Sequence, residues 1–461
     1  MTGTDSPWGE RGRRSSRPEL AARVLDLVTA VAGPAAAAEV HVASRSRALT
    51  RFARSFIHQN VVDTAERVRL RVVLDGSWAV AETDRADADS LSRAVESAVA
   101  AARLRKADPA FPGLAPVAPV PAGGTWDDAT AGATPDQRAA VVRDFVDAAG
   151  GPETAGYVQT ERTEAVYANT LGQSAAGRGT AVAADGIVRV DGAAGVARQA
   201  GVRLADLSGA ALGATAAAKA RAGADPVDLP PGDYEVVLEP SCVADVLGFL
   251  AAYGFNGRPV SEGRSFARVG EAQFDPAVTL WDDCLDRWST ALPWDAEGTP
   301  RRRVDLVTAG TTAAIAHDRR TAAALGTSST GHAVEGGERW GPQPPQLRLG
   351  AGAGGDSVAL ARGMRRGLLV SDFWYTRVLD PRTVVVTGLT RNGVWLVADG
   401  QIARPVSTLR FTQSYPDALG PGAVLAVGSD AAPLPERAAG SLTVTPSLRL
   451  ARWHVTGGAA G

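Results

Sequence analysis

Apolar residues between Pro18 and about Gly33 fall at Leu20, Val24, Leu27, Val28 and Val31, a spacing that predicts one amphipathic helix at the start of the fold. The period then changes. "AEVHVAS", "ALTRFAR" and "RVRLRVVLDGSWAVAET" alternate apolar and polar positions, and Asp75-Gly76 sits between two strand-like runs of the last, a hairpin signal. "DADSLSRAVESAVAAARLRK" follows, with an aspartate placed to cap and apolar positions at Leu91, Val95, Ala98 and Val99, so a long helix is expected over one face of that meander. Helices that follow strands read as α+β.

Residues 107–135 are rich in Pro, Gly and Ala without a period, and are expected to form a connection. "TPDQ" then places Thr134 at a cap, Pro135 at the first helical position and Gln137 two further on, a capping box ahead of Val141, Val142, Phe145 and Val146. Short alternating strands lead to an Ala-rich helix from about Leu207 to Ala222, and "GADPVDLPPGDY" breaks the chain. Beyond it the pattern is strand-rich, apart from a strand-to-helix junction over Tyr234–Arg258 and a helix near Val358–Met364. Turns are expected at Asn392-Gly393 and Asp399-Gly400. The resulting organisation is a flexible tail over 1–17, an N-terminal α+β domain over 18–230 and a C-terminal β-rich domain over 231–461.

Composition narrows the classes. With 461 residues, 45% of them hydrophobic, the chain can bury a large core, and a formal net charge of -2 exerts no global pull on nucleic acid or an anionic membrane. The start is polar without an apolar h-region, and no run of apolar residues is long enough for a spanning helix, so a cytoplasmic protein is expected. Cys242 and Cys284 match no zinc or redox spacing and read as buried free thiols.

Local motifs add little chemistry. "GHAVEGGE" offers His332 with Glu335 and Glu338 as a metal set, but its glycines read as a surface loop, and His317 beside Asp318 reads as a turn or edge-strand histidine. "GAGAGGDS" over Gly350–Ser357 spells GxGxxG, yet a hairpin meander follows where a dinucleotide site needs a βαβ unit, so it reads as a glycine turn. "GTSSTG" and "GQSAAG" lack nucleophile-elbow spacing. Trp340, Trp374, Trp395 and Trp453 read as core or interface residues, or as the lining of a cleft for an extended peptide.

"YEVVLEPSCVADVLGFLAAYGFNGRPVSEGRSF", "PWDAEGTPRRRVDLVTAGT" leading to "SSTGHA", "RRGLLVSDFWYTRVLDPRTVVVTGLTRNGVWLVADGQIARPVSTLRFTQS" and "TVTPSLRLARWHVTG", in that order, resemble the TldD/PmbA family, the paired modulator-of-gyrase metalloprotease homologues. The N-terminal half, with "RLRVVLDGSWAVAETD", fits the family's other domain. The resemblance implies an α+β fold, an N-terminal α/β sandwich-like domain followed by a strand-rich, antiparallel, barrel-like one.

In that family the catalytic TldD-type chain looks like a zinc peptidase with HExxxH on the helix after the strand and a cysteine near the C-terminus. Here the motif histidines align with Gly248 and Tyr253, the glutamate with Phe249, and the cysteine with Val427–Ser429, where none stands. The resemblance therefore implies a TldE/PmbA-type chain without the zinc motif. Such a chain has no catalytic or metal residue of its own, binds no cofactor, and forms a heterodimer with a zinc-bearing TldD-type subunit that acts on unfolded peptides or peptide-like precursors. Arg258 and Arg264 after the helix, and Tyr375 and Arg377 in "WYTR", are candidate substrate or partner contacts, and each also reads as an ion pair or a core tyrosine. A stand-alone hydrolase with its site elsewhere, for example around His332, and a homodimeric binding or scaffold protein are the alternatives.

Overall fold

The computed structural model describes residues 16–121, 124–435 and 441–458. Residues 1–15 of the expected tail lie outside the described residues, and Ser16 caps the first helix through a box with Glu19. The chain forms α1 (Arg17–Ala32), β1 (Ala37–Ala53), β2 (Phe56–Leu74), β3 (Ser77–Thr83), α2 (Ala88–Leu104), α3 (Asp128–Ala131), α4 (Pro135–Ala149), β4 (Glu153–Asn169), β5 (Ser174–Val190), β6 (Ala193–Gly201) and α5 (Gly209–Arg221). The strands make one sheet in the order β3-β2-β1-β4-β5-β6. Asp75 and Gly76 take positive φ between β2 and β3, as the hairpin signal requires. "AEVHVAS" and "ALTRFAR" are not two strands but halves of β1, because no turn residue separates them.

The chain divides into two compact units that share the long strands of this sheet. One gathers the chain up to Ser44, Ala65–Val117 and Glu164–Ala176; the other gathers Arg45–Thr64, Ala118–Thr163 and Gly177 onward. In the first, Leu20, Val24 and Val28 of α1 and Leu91, Val95 and Val99 of α2 pack on Val40, Val68, Leu70 and Val72. In the second, α4 and α5 pack on β5 and β6, and their backbones come so close that a Cβ on Gly213 would stand 2.2 Å from the Phe145 carbonyl oxygen.

Gly177 onward continues with β7 (Gly232–Leu238), α6 (Pro240–Phe249), a π turn (Leu250–Gly254), α7 (Gly257–Ser261), β8 (Leu280–Asp282), β9 (Val304–Thr308), β10 (Thr311–Thr312), α8 (Arg319–Ala324), α9 (Gly337–Trp340), β11 (Leu347–Leu349), α10 (Ser357–Ala361), β12 (Arg366–Asp380) and β13 (Val385–Ala398). The chain ends with β14 (Gln401–Pro405), β15 (Leu409–Ser414), α11 (Tyr415–Ala418), β16 (Val424–Val427), β17 (Ala432–Pro435), β18 (Leu442–Thr445) and β19 (Leu448–Gly458). One six-stranded sheet runs β10-β9-β8-β11-β18-β17, and another path runs β12-β7-β19-β15-β13-β14 with β12 also paired to β13. That extra pairing closes β12, β7, β19, β15 and β13 into a ring, the barrel-like sheet expected for this half.

β7 lies inside the ring, parallel to β12 and antiparallel to β19, and is buried on both faces. Val236 and Leu238 join the main core with α6, while Val237 faces a second cluster with Leu360, Met364, Leu369 and Trp395. A strand buried on both sides reads as a continuous apolar run, which is why "YEVVL" shows no alternation. Asn392-Gly393 is not a turn: both residues take positive φ within continuous β13, opposite a register shift in β12, so the pair makes a bulge. Asp399-Gly400 does turn the chain between β13 and β14. The GxGxxG stretch joins β11 in one sheet to β12 in another, which is not a βαβ unit. No helix among the described residues is long and apolar enough to cross a membrane.

Candidate functional site

At the end of β7, Glu239 stays extended and Pro240 starts α6 with its φ already helical. The Glu239 carboxylate receives Lys219 Nζ and, at 2.8 Å, the Ser371 hydroxyl, which tie the junction to α5 and β12. Val243, Val246, Leu247 and Leu250, at i, i+3, i+4 and i+7, are fully buried on one face. Each is worth about 1.5–3 kcal/mol of burial, so the helix is fixed to the core by packing.

The α-helix then widens. Phe255 N–H donates to Leu250 O, five residues back, at 3.0 Å. In a regular α-helix residues five apart lie about 140° apart around the axis, and a π turn rotates Tyr253 back toward the side of Gly248. The backbone thus keeps a shape suited to paired side chains at those two positions. The side chains of Gly248, Phe249 and Tyr253 are aromatic or absent. The Phe249 ring stacks on Tyr253 at 6.2 Å between centroids and meets Tyr415 edge-on at 5.8 Å. Asp245, one turn earlier, accepts from Thr376 Oγ1 at 2.8 Å and from the Tyr415 hydroxyl at 3.1 Å.

Zinc requires three or four N, O or S donors converging on one point. Gly248 and Phe249 have none, and the Tyr253 ring is engaged in the stack. At Val427–Ser429 the backbone bonds to the glycine loop, with Gly354 N–H donating to Val427 O at 3.0 Å and Ser429 N–H to Gly355 O at 2.8 Å, and no side chain there is a metal donor of the required kind. These residues do not fit the zinc ion of the family's catalytic chains.

The contact candidates form two pairs, Arg258 with Arg264 around Glu262, and Tyr375 with Arg377. Arg258, at the start of α7, donates to Glu262 Oε1 at 2.9 Å and to the Glu338 carbonyl, and Arg264 pairs with the same Glu262. Their two charges hold the Glu262 carboxyl below its usual range, chiefly through the Arg264 hydrogen bond. Tyr375 is 60% exposed and is no core tyrosine; it sits at φ +57° in a bulge of β12, with the Arg377 guanidinium 4.2 Å from its ring centre. Trp374 beside it is also exposed and lies under Arg391. Of the four tryptophans that the sequence singled out, Trp395 and Trp453 are core residues, whereas Trp340 and Trp374 face solvent.

A different cluster lies in the second sheet. His332 is not on a surface loop: it is fully buried, away from the Glu335 and Glu338 set that the sequence suggested, and its ring meets Asp282 at the end of β8. Gly331, at φ +77°, lets this loop lie against the backbone of Pro300 and Arg301, where a Cβ would stand 2.6 Å from the Pro300 oxygen. His332 Nε2 is 2.9 Å from Asp282 Oδ1, and Nδ1 is 2.9 Å from the Thr330 carbonyl oxygen and 2.8 Å from its hydroxyl. The Cys284 thiol donates to Asp282 Oδ1 at 3.3 Å, Gln346 N–H donates to Asp282 Oδ2 at 2.6 Å, and Arg301 Nη1 reaches Cys284 Sγ at 3.6 Å.

Burial works to raise the Asp282 carboxyl, but the facing His332, the Gln346 N–H and Arg301 together hold it below its usual range. Burial and the Asp282 charge push the Cys284 thiol well above its ordinary value, against the opposing pull of Arg301. Among the described residues, Asp282, Cys284 and His332 form the one grouping of three metal-type donors, with ligand atoms all within 4.8 Å of one another. Sequence reading set His332 beside the wrong acids and left Asp282 out. The available signal was "DDC", since residues two apart on an extended chain point to one side. The meeting with His332 spans about fifty positions and follows from sheet topology alone.

Residues 231–457 match the family model of the PmbA/TldA metallopeptidase C-terminal domain, and this part of the chain is similar to that family. Solved structures share the whole-chain fold. A protein from Thermotoga maritima described as a candidate modulator of a DNA gyrase has a TM-score of 0.83 at 18% identity, covering 96% of this chain and 100% of that one. TldE from Thermococcus kodakarensis gives 0.82 at 17%, covering 91% and 97%, and a candidate modulator of DNA gyrase from Bacteroides thetaiotaomicron gives 0.80 at 18%, covering 95% and 98%. No curated protein matches the sequence.

Proposed function

We propose that this chain is the non-catalytic, TldE-like member of a heterodimer whose TldD-type partner carries the zinc, and that the pair acts in the cytoplasm on unfolded peptides or peptide-like precursors. The observation that carries the reading is the β7–α6 junction with its π turn, built as a mount for ligands and filled by Gly248, Phe249 and Tyr253. Water activation at a metal needs converging lone-pair donors and a base; Gly248 and Phe249 supply neither, and the Tyr253 ring is stacked on Phe249. In this role the chain contributes wall and interface, and the exposed bulge with Trp374, Tyr375 and Arg377 offers an aromatic, cationic surface to a partner or peptide. The likeness in fold to TldE supports the assignment.

The test is co-expression with a TldD-type chain that bears HExxxH. Native mass spectrometry is expected to detect a one-to-one complex, and hydrolysis of an unfolded peptide is expected from the pair alone. Peptide hydrolysis by the purified single chain would favour the stand-alone hydrolase, and a stable homodimer that ignores the partner would favour the scaffold reading.

A further inference from the structure

We propose that Asp282, Cys284 and His332 bind a zinc ion, at a site on this chain distinct from the family's position on α6. This departs from the sequence expectation of a chain without metal, and it is independent of the heterodimer reading.

The hydrogen-bond pattern around His332 carries the argument. A carbonyl oxygen and a carboxylate oxygen only accept, and they face opposite nitrogens of the same ring at 2.9 Å each. The Thr330 hydroxyl also stands 2.8 Å from Nδ1, so the metal-free ring fits this setting with Nε2–H donating to Asp282. The alternative is a cation between Nε2 and Asp282 in place of the proton. The Thr330 carbonyl then plays the part that a backbone oxygen plays behind ligating histidines: it takes the Nδ1 proton and leaves the Nε2 lone pair toward the metal. Asp282 is supported in the same way, since Gln346 N–H occupies Oδ2 and leaves Oδ1 facing both Nε2 and Cys284 Sγ.

Charge balance favours the exchange. Binding a dication displaces the protons on Sγ and Nε2 and leaves carboxylate, thiolate and neutral imidazole around the ion, and these charges sum to zero with it. Buried charge is costly when uncompensated, so a donor set that neutralises the ion avoids that cost. Arg301, 3.6 Å from Sγ, stabilises the thiolate that results. A mixed N, O and S donor set suits zinc above the harder divalent ions. A tetrahedral zinc holds such donors about 3.3–3.8 Å apart, so separations of 2.9 Å for His332–Asp282 and 3.3 Å for Cys284–Asp282 need to open by only a few tenths of an ångström.

The experiment uses the full chain alone, depleted of metal and then titrated with zinc, and with cobalt as a spectroscopic substitute. The expected result is one equivalent bound per chain, thiolate-to-cobalt absorption with tetrahedral cobalt bands, and affinity that rises with pH by about tenfold per unit for each proton released on binding. Cys284→Ala and His332→Ala are each expected to weaken binding by more than about a hundredfold, whereas Cys242→Ala, at the other buried thiol, leaves it unchanged. Cobalt absorption in the unmutated chain decides the matter even where a variant fails to fold. A folded chain that takes up no equivalent of either metal, or cobalt bound without thiolate absorption, overturns the proposal and leaves the cluster as a buried ion pair.

Discussion

Tyr375 holds a left-handed backbone conformation that costs an ordinary residue about 1–2 kcal/mol, while its ring faces solvent and carries only the Arg377 guanidinium. Strain combined with exposure points to a contact role, because the fold gains little from the ring. Tyr375→Gly relieves the strain and loses an exposed cation–π pair worth about 0.5–1 kcal/mol. The isolated chain is therefore expected to stay within about 1 kcal/mol of its stability in denaturant unfolding, while binding to the partner or a peptide weakens. A loss above about 2 kcal/mol would show that Tyr375 holds the bulge together instead. The sequence already displayed "WYTR" as unusual. It could not show exposure, because a tyrosine in an alternating run reads equally well as core until the bulge resets which side it faces.

The β7–α6 junction was legible as an element. The apolar spacing of Val243, Val246, Leu247 and Leu250 predicted the buried face that the fold displays. The π turn was not legible, since its wider hydrogen bond depends on how Phe255 packs with Phe266 and Phe274 in the core. Installing Gly248→His with Tyr253→His tests whether the turn still presents a pair of ligands. In a Cys284→Ala background, so that the buried cluster does not contribute, the double variant is expected to gain measurable zinc binding in a chelator-competition assay. Binding no tighter than that of the single Tyr253→His variant would mean that the two positions do not share a side.

At the scale of the whole molecule, the closed five-strand ring gives β7 neighbours on both edges and leaves α6 held against the core. Gly248 is half-buried on α6. Gly248→Trp is expected to leave the single chain folded by circular dichroism and to weaken the proposed heterodimer; an unchanged complex mass on a sizing column would remove α6 from the interface.

The sequence by itself determined the elements and the general architecture. Period, caps and turn residues act over a few positions, and Asp75-Gly76, the Thr134–Gln137 box and the apolar run of β7 each carry their own local reason. It also showed that Gly248 and Phe249 carry no metal-donor atom, because that follows from side-chain chemistry alone. Tertiary structure decided the rest. Burial turned His332 from an apparent surface histidine into the partner of Asp282 and Cys284, and it turned Asn392-Gly393 from a turn into a bulge. Both outcomes depend on which strands become neighbours, and that is set by long-range packing that no local pattern encodes.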